Sequence, residues 1–241
     1  MPSTADDSGS GFEQATEVFR NAWSLYRRLV DHNYMRHTEM EQAARDRLLQ
    51  RSAPFTMLDL GCGDGDFAAK VVNGTRVAGY VGVDLVATAA DVARQRFEQL
   101  VPDVRILNCS LLDLAPDQVQ PACDVILASY SVHHLSHVEK RRLLTTLREM
   151  LPEKGELILI DLVRRNDESR DQFLSRFHHL AEQKFFALSD DERQQVRAHM
   201  DSSDWPETLA TLQQFGSDAG FDQFELLYRD PAELYAAVSL R

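Results

Sequence analysis

Several features are scarce in this sequence, and each scarcity excludes a class of protein. No apolar run approaches the ~20 residues that a membrane-spanning helix needs, so a membrane protein is not expected. The only cysteines, Cys62, Cys109 and Cys123, have neither disulfide nor metal-site spacing, which favours free thiols and a cytoplasmic location. Basic residues number 26 against 38 acidic ones, a net charge of −12. Because such a chain repels a phosphate backbone, nucleic acid is not an expected partner.

The chain has 241 residues, which is enough for one domain with a well-buried core. Residues 1–11 are polar and acidic without an apolar segment, so they predict a disordered tail and not a secretory signal. The remainder, 12–241, is predicted to form a single domain. Its parts are a helical extension (12–53), a core (54–163), a helical insertion (164–205) and a C-terminal helix with two strands (206–241).

Short apolar strands alternate with amphipathic helices through the core. The predicted strands are 57–60, 77–83, 104–109, 123–128 and 157–161, and the helices between them are 66–72, 88–100 and 137–151. This alternation predicts an α/β fold with a doubly wound, mostly parallel sheet, because parallel strands need helical crossovers. Two further strands, 222–229 and 233–240, follow a helix at 207–219.

A glycine-rich turn joins the first strand to the first helix of the core. Gly61, Gly63 and Gly65 leave no Cβ along one side, so the backbone can lie directly against a ligand. Asp84 ends the next strand about 20 residues later. In an open parallel sheet these two features meet at the carboxyl ends of neighbouring strands, where Asp84 can accept hydrogen bonds from ribose hydroxyls.

The spacing of the glycines distinguishes between nucleoside ligands. A dinucleotide fingerprint would need glycine at position 66, where this chain has Asp66. Asp64 and Asp66 would also bring negative charge to a pyrophosphate. A cationic nucleoside without phosphate tolerates them, and S-adenosylmethionine is such a ligand.

The run DLGCGDG (59–65), followed by Val83 and Asp84, resembles the first two motifs of class I S-adenosylmethionine-dependent methyltransferases. The resemblance covers about 55–162 and returns at 219–221 and the last two strands. It implies a Rossmann-like sheet of seven strands whose last strand is antiparallel. It also implies a methyltransferase with S-adenosylmethionine as cofactor and S-adenosylhomocysteine as product.

The resemblance assigns roles to the residues of the turn and of the second strand end. Gly61, Cys62 and Gly63 would run along the ribose and methionine parts of the cofactor. Asp59 would orient the turn or reach the ammonium group of the cofactor. Asp84 would hold the ribose, and Leu85 would lie under the adenine.

Other cofactor contacts are implied from the later strand ends. The family usually has an acidic residue after the third strand, where this chain has Ser110; Ser110 and the backbone of Leu111 would then meet the adenine, or Asp113 in a shifted register. Ser129 and Tyr130, after the fourth strand, would lie near the ammonium and the sulfonium. The helical extension often covers the cofactor in this family, so Tyr34 is also expected at the site.

Two histidines follow the fourth strand, next to the expected position of the transferred methyl group. Histidine is a suitable general base near neutral pH, and we favour His134 over His133 in that role. A histidine pair that opens a helix can equally be structural. No metal site is expected, because adjacent residues rarely converge on one ion.

The expected reaction is in-line transfer of a methyl group to a small molecule, by a monomer or homodimer. The insertion 164–205 is predicted to be an amphipathic helical cap that selects this substrate; an oligomer contact is the alternative. The residues leave the acceptor atom open between oxygen, nitrogen, sulfur and carbon. Three other functions also stay open: a nicotinamide oxidoreductase, which the glycine spacing disfavours, a cofactor-binding protein without activity, and an enzyme that uses the sulfonium for other chemistry.

Overall fold

A computed structural model of the protein describes residues 23–119 and 122–241. The predicted tail 1–11 and the first part of the predicted helix 12–30 lie outside the described residues. The helices are α1 (23–31 in its described part), α2 (His37–Leu49), α3 (Asp66–Val71), α4 (Ala87–Phe97), α5 (His137–Met150), α6 (Arg170–Lys184), α7 (Asp190–Ser203) and α8 (Leu209–Ala219). The strands are β1 (Phe55–Leu60), β2 (Val77–Val83), β3 (Asp103–Leu107), β4 (Val125–Ser129), β5 (Glu156–Arg164), β6 (Glu207–Thr208), β7 (Phe224–Arg229) and β8 (Tyr235–Leu240).

The strands form one sheet in the order β3-β2-β1-β4-β5-β8-β7. Strands β1 to β5 pair in parallel, whereas β8 runs antiparallel to both β5 and β7. The prediction of a doubly wound, mostly parallel sheet with an antiparallel last strand is therefore confirmed. The structure adds one short strand, β6, in which Glu207 pairs with Val163 beyond the end of the main sheet.

Helices cover both faces of the sheet because its strands are apolar on both sides. Met57 and Tyr80 belong to a buried cluster that also contains residues of α2, α3, α4, α6 and α7. Their neighbours Leu58 and Val81 belong to a second cluster, which contains residues of α5 and α8. Successive strand residues point to opposite faces, so a fully apolar strand can fill both layers.

The carboxyl ends of the central strands form the edge that matters for function. Strand order reverses between β1 and β4, since β1 leads to β2 on one side and β4 leads to β5 on the other. A crevice opens at such a point in doubly wound sheets. The loops that follow Leu60, Val83 and Ser129 meet at this crevice. Among the described residues, no helix is both long and apolar enough to cross a membrane.

Candidate functional site

The glycine turn after β1 has the backbone conformation that its sequence predicts. Gly61, Gly63 and Gly65 have φ values of 70°, 51° and 72°, in the left-handed region that other residues avoid. A Cβ on Gly61 would lie 2.6 Å from the Cβ of Ser131, in the loop after β4. The amides of Gly61 and Cys62 both donate to the carbonyl of Val83. The turn is therefore held against the ends of both neighbouring strands.

Asp84 connects the glycine turn to the end of β2. Its Oδ2 accepts a hydrogen bond from the amide of Gly63 at 2.8 Å, and its Oδ1 accepts one from the amide of Val86 at 2.8 Å. A carboxylate has about four acceptor positions, so two remain for a ligand. The geometry is suitable for ribose hydroxyls approaching from the cleft.

Asp59 is a buried carboxylate beneath the turn. It is 2% exposed, and its Oδ2 accepts from the hydroxyl of Tyr80 at 2.7 Å. Its other oxygen, Oδ1, has no hydrogen-bond partner. Burial, aided by the charge of Asp84 and opposed by the Tyr80 hydrogen bond, raises the pKa of Asp59 to about 7. Near neutral pH the carboxyl group of Asp59 is therefore only partly ionised, and a cation bound in the cleft would favour its charged form.

The loops after β2 and β3 lie side by side, because Val83 pairs with Leu107. The side chain of Asn108 donates to the carbonyl of Asp84 at 2.7 Å. Leu85 is 70% exposed at this edge. Ser110 and Leu111 are partly exposed, and the Ser110 hydroxyl accepts from the amide of Leu112 at 3.2 Å. The structure therefore brings these sequence-predicted residues to one edge of the sheet.

A cavity of about 190 Å³, here called the glycine cleft, lies between this turn and the N-terminal helices. Its lining includes Trp23, Tyr26, Arg27, His37, Gly61, Cys62, Gly63, Asp64, Asp66, Lys70, Ser129 and Tyr130. The hydroxyl of Tyr26 and Nε2 of His37 are 3.2 Å apart. The ring of His37 stacks on Tyr130 with centroids 4.4 Å apart, and its Nδ1 has no partner. Burial lowers the pKa of His37 to about 4, so the ring is neutral.

The donors and charges of the glycine cleft fit a cationic nucleoside. Gly61 and Gly63 line the cleft with backbone atoms, and the Oδ1 atom of Asp59 lacks a hydrogen-bond partner among the described residues. Asp64 and Asp66 also carry negative charge, although Arg27 and Arg96 pair with both of them. S-adenosylmethionine has the ribose, the ammonium and the sulfonium that such a cleft accommodates. Arg27 and Lys70, which also line the cleft, could pair with its carboxylate.

A second cavity, of about 330 Å³, adjoins the first and is here called the histidine cavity. Most of its lining is apolar or aromatic: Leu25, Tyr26, Leu29, Met35, Tyr130, Leu162, Phe177, Phe185, Val196, Met200 and Tyr235. Gln195, His133, His134, His199 and Asp204 supply its polar atoms. Tyr26 and Tyr130 line both cavities, so the two spaces meet at these rings.

Tyr130 occupies the junction in a strained backbone conformation. Its φ of 52° lies in the left-handed region, which is uncommon for a residue other than glycine. The amide of Tyr130 donates to Ile160, and its hydroxyl donates to the carbonyl of Met35 at 2.6 Å. These bonds to β5 and to the N-terminal region fix the ring between the cavities.

His133 is the buried histidine of the pair, and Asp161 of β5 holds it. The amide of His133 donates to Asp161 Oδ2 at 2.9 Å, and its Nδ1 pairs with Asp161 Oδ1. Nε2 consequently points toward Asp204, whose Oδ1 is 3.6 Å away. His134 is 43% exposed, and its Nδ1 lies 3.1 Å from the same oxygen. Adjacent residues were not expected to converge on one point, but the rings of both histidines lie close to the same carboxylate.

Tyr34, a proposed cofactor contact, does not line the glycine cleft, whereas Asp59, Asp84, Leu85, Ser110 and Leu111, which do not line it either, lie under the turn or at the neighbouring strand ends. Its ring stacks on Phe185 at 4.3 Å, and its hydroxyl accepts from the amide of Ala187 at 2.9 Å. It therefore fastens α1 to the loop between α6 and α7. Tyr26, one helical turn or more earlier, occupies the cleft instead.

Sequence reasoning missed two carboxylates of the site, Asp161 and Asp204. Asp161 directly follows the apolar run 157–160 of β5, as Asp59 and Asp84 follow apolar residues at or near the ends of β1 and β2, and this shared position was the available signal. Asp204 closes the insertion after α7 and is 1% exposed. Nothing local in the sequence marks it, because its neighbours at the site are far away along the chain.

Comparison with known proteins agrees with this geometry. The sequence model of the methyltransferase domain family matches residues 57–155, which include the glycine turn and the first four strands. Residues 57–155 of the chain are therefore similar to a methyltransferase domain. An uncharacterized methyltransferase of Bacillus licheniformis is 25% identical over 146 residues, covering 61% of this chain and 63% of its relative. The release factor glutamine methyltransferase of Rhodopirellula baltica is 34% identical over 117 residues, covering 47% of this chain and 37% of its relative.

Solved methyltransferase structures share the fold at low sequence identity. Human N-acetylserotonin methyltransferase, in a complex with S-adenosylmethionine, superposes with a TM-score of 0.52 at 15% identity. The match covers 78% of this chain and 47% of the human one. The chain thus spans less than two thirds of the length of each of these relatives.

Proposed function

We propose that this protein transfers a methyl group from S-adenosylmethionine to a hydroxyl group of a small, mainly apolar molecule bound in the histidine cavity. The observation that carries the proposal is the junction of two chemically different cavities at Tyr26 and Tyr130. One cavity offers a glycine turn and carboxylates, as a cationic nucleoside requires. The other is apolar with one polar wall, as a small organic acceptor requires.

The acceptor class follows from the size and lining of the histidine cavity. Its volume of about 330 Å³ falls in the range of small-molecule sites, roughly 300–1,000 Å³. Phe177, Phe185 and Met200 would contact a flat or aliphatic body. A single polar wall, at His133 and Asp204, would receive one nucleophilic group. A relative that by its name methylates a protein shows that the family also takes larger acceptors, but this cavity favours a molecule that fits within it.

The proposed chemistry depends mainly on position. Bound S-adenosylmethionine supplies a methyl group on a sulfonium, whose departure leaves a neutral thioether. Tyr130 would fix the direction of methyl transfer from the glycine cleft to the histidine cavity. The apolar walls would hold the acceptor in line with the methyl group. Such orientation is worth roughly 7–11 kcal/mol of the barrier in favourable cases.

His133 is the residue best placed to remove the proton of the acceptor. Asp161 holds Nδ1 and so leaves the lone pair of Nε2 on the cavity wall, next to Asp204. As the acceptor oxygen forms its bond to the methyl carbon, the carbon–sulfur bond breaks and its electron pair stays on sulfur. The hydroxyl proton passes to His133 Nε2. General-base catalysis of this kind contributes about 10²–10⁴-fold. His134, which the sequence favoured, is 43% exposed, and its Nδ1 lies next to Asp204.

Calorimetric titration with S-adenosylmethionine and S-adenosylhomocysteine tests the cofactor part of the proposal. We expect both to bind the wild-type protein, and Asp84→Asn to weaken binding at least about tenfold because it loses a charged hydrogen-bond acceptor. Asp91→Asn, an exposed aspartate on α4 of the same sheet layer, is the matched control and should bind normally. A folded wild-type protein that binds neither compound would overturn the proposal.

A panel of phenols, alcohols, thiols and amines, followed by mass spectrometry, tests the reaction. We expect a methylated phenol or alcohol and an equal amount of S-adenosylhomocysteine. His133→Gln should lower kcat with little change in cofactor affinity. Cofactor binding without any methylated product would favour a non-catalytic binding protein. Cofactor consumption without methyl transfer would favour other sulfonium chemistry.

A further inference from the structure

Four side chains from distant parts of the chain converge on one wall of the histidine cavity. His133 Nε2, His134 Nδ1 and His199 Nε2 lie 3.6, 3.1 and 3.4 Å from the Oδ1 atom of Asp204. We call these four residues the histidine–aspartate cluster. The histidines come from the loop after β4 and from α7, and Asp204 follows α7.

The spacing within the cluster is that of ligands around a single metal ion. Bonds of about 2.0–2.1 Å from zinc to nitrogen and oxygen place neighbouring ligand atoms of a tetrahedron roughly 3.3 Å apart. The three distances to Asp204 bracket this value. One nitrogen each of His133 and His134 and one oxygen of Asp204 also lie within 4.8 Å of one another.

Asp204 is a second observation that favours a cation at this place. The residue is 1% exposed, and its buried Oδ1 atom has no hydrogen-bond partner among the described residues. Burying a charged oxygen without a partner is costly, and a metal ion held between this oxygen and the three histidines would remove that cost.

The contacts of His133 indicate where that positive charge would be. Asp161 occupies its Nδ1, which favours the tautomer with the proton on Nδ1 and a lone pair on Nε2. That lone pair then faces the Asp204 oxygen 3.6 Å away. Two electron-rich atoms so placed repel each other unless a proton or a metal ion lies between them. A carboxylate behind a metal-bound histidine is also the usual arrangement in metalloproteins, because it orients the ring and makes it a stronger ligand.

We propose that His133, His134 and Asp204 bind one divalent transition-metal ion of the zinc type, with His199 as a fourth ligand or close neighbour. Imidazole nitrogen with a single carboxylate suits Zn²⁺ and Co²⁺, whereas Mg²⁺ and Ca²⁺ prefer oxygen ligands. The cluster is part of the cavity wall, so a position on the ion would be open to a ligand in the cavity.

The role of the ion rests on the proposed function, whereas its binding does not. A hydroxyl oxygen bound to a divalent ion is more acidic, so the acceptor would release its proton to water and stay near the ion as an oxyanion. A nitrogen that ligates the ion cannot accept a proton. In the metal-loaded protein the ion would therefore replace His133 in favouring deprotonation, and the methyl transfer would otherwise be unchanged.

Metal titration of the full chain, stripped with a chelator, tests the site without any reaction. We expect one equivalent of Zn²⁺ by calorimetry, displacement of Co²⁺ by Zn²⁺, and Co²⁺ absorption typical of four or five ligands. Mg²⁺ should not compete. His134→Gln, a change at a partly exposed side chain, should weaken binding at least about tenfold. Asp161→Asn should weaken it by about 10–100-fold through the orientation of His133.

Two controls separate the possible outcomes. His179→Ala removes an exposed histidine of α6 outside the cluster and should leave metal binding unchanged. Asp204→Asn should abolish binding, with its fold checked by circular dichroism. A folded wild-type protein that binds no stoichiometric Zn²⁺, or an Asp204→Asn variant that still binds it, would overturn the proposal. Cofactor affinity measured with and without chelator is expected to be equal; metal binding in a protein that fails to bind the cofactor would leave the metal site standing and refute the proposed function.

Discussion

At the scale of single residues, Asp59 shows how a binding site is prepared at a cost in stability. Its carboxylate is buried beneath the glycine turn, with one oxygen bonded to Tyr80 and the other without a partner. Burial favours the neutral form, which raises the pKa of Asp59 to about 7. A cationic ligand in the glycine cleft would restore the charged form. The residue is therefore suited to binding and unfavourable for folding above neutral pH.

Asp59→Asn is expected to stabilise the protein at high pH and to weaken cofactor binding. Because the pKa of Asp59 is higher in the folded state, its contribution to stability is present below about pH 4 and is lost as pH rises through about 7. Asparagine does not titrate, so the variant does not lose this stability as the pH rises. Between pH 4 and pH 8 its free energy of unfolding should gain up to about 4 kcal/mol relative to wild type. Urea unfolding at several pH values measures this difference.

The matched control for this prediction is Asp113→Asn, which changes an exposed aspartate. Its unfolding free energy should follow that of wild type over the same range. If Asp59→Asn also follows wild type, then Asp59 is charged at neutral pH in the folded protein. Calorimetry with S-adenosylmethionine completes the test, and we expect Asp59→Asn to lose affinity.

Residue positions at strand ends could be predicted from the sequence, but residue contacts across the chain could not. Asp59 lies near the end of β1 and Asp84 follows β2, each at a fixed distance from the glycine turn. Their position beside the turn therefore follows from the topology of parallel sheets. The preference for His134 over His133 had no such support. The sequence does not show that Asp161, nearly thirty residues later, fixes His133 and leaves His134 exposed.

At the scale of elements, helices α6 and α7 form part of the histidine cavity and part of the core. Phe173 of α6 is fully buried, and Phe177 is 3% exposed while also lining the cavity. Both belong to the same buried cluster as residues of β1 and β5. Deleting this insertion would therefore damage the fold. Its role in choosing the acceptor is better tested by single substitutions that fill the cavity.

Val196→Phe is expected to impair acceptor turnover and spare cofactor binding. Val196 lies on α7, is 8% exposed and lines the histidine cavity but not the glycine cleft. A phenyl ring there would take up space that the acceptor needs. We expect kcat/KM for the acceptor to fall at least about tenfold, which is about 1.4 kcal/mol. The dissociation constant of S-adenosylmethionine, measured by calorimetry, should change less than about twofold.

Ala198→Phe provides the control on the exposed side of the same helix. Both variants have the same new side chain in α7, so a general effect on the helix would appear in both. Equal loss of turnover in the two variants would show that α7 acts through stability or assembly and not through the shape of the cavity.

The order of the core elements could be predicted because each carries its own local pattern. Apolar strands, amphipathic helices and the prolines that end them are properties of short segments. The location of the insertion and the short strand β6 depend on contacts between segments more than forty residues apart, such as Val163 with Glu207. These contacts leave no local pattern, so only the helical character of the insertion followed from the sequence.

At the scale of the whole molecule, the proposed cofactor site and a buried network around Glu156 lie at opposite ends of the parallel strands. Glu156, at the opposite end of β5, is 1% exposed. It accepts from Arg47 Nε at 2.5 Å and from the Ser239 hydroxyl at 2.5 Å. This network joins α2, β5 and β8 at the amino ends of the parallel strands. A strand of six residues, roughly 20 Å long, lies between it and the glycine turn.

Glu156→Gln is therefore expected to destabilise the molecule without changing the site. The substitution leaves Arg47, which is 13% exposed, with only the more distant and half-exposed Glu225 as a charged partner, and the free energy of unfolding should fall by about 3 kcal/mol. Glu153→Gln, an exposed change at the same end of the sheet, should be neutral. The affinity of the folded protein for S-adenosylmethionine should be the same in both variants and in wild type. Saturating cofactor should then raise the unfolding free energy of all three by the same amount, because that increment depends only on ligand concentration and affinity. An increment that differs in Glu156→Gln would show that the two ends of the sheet are coupled.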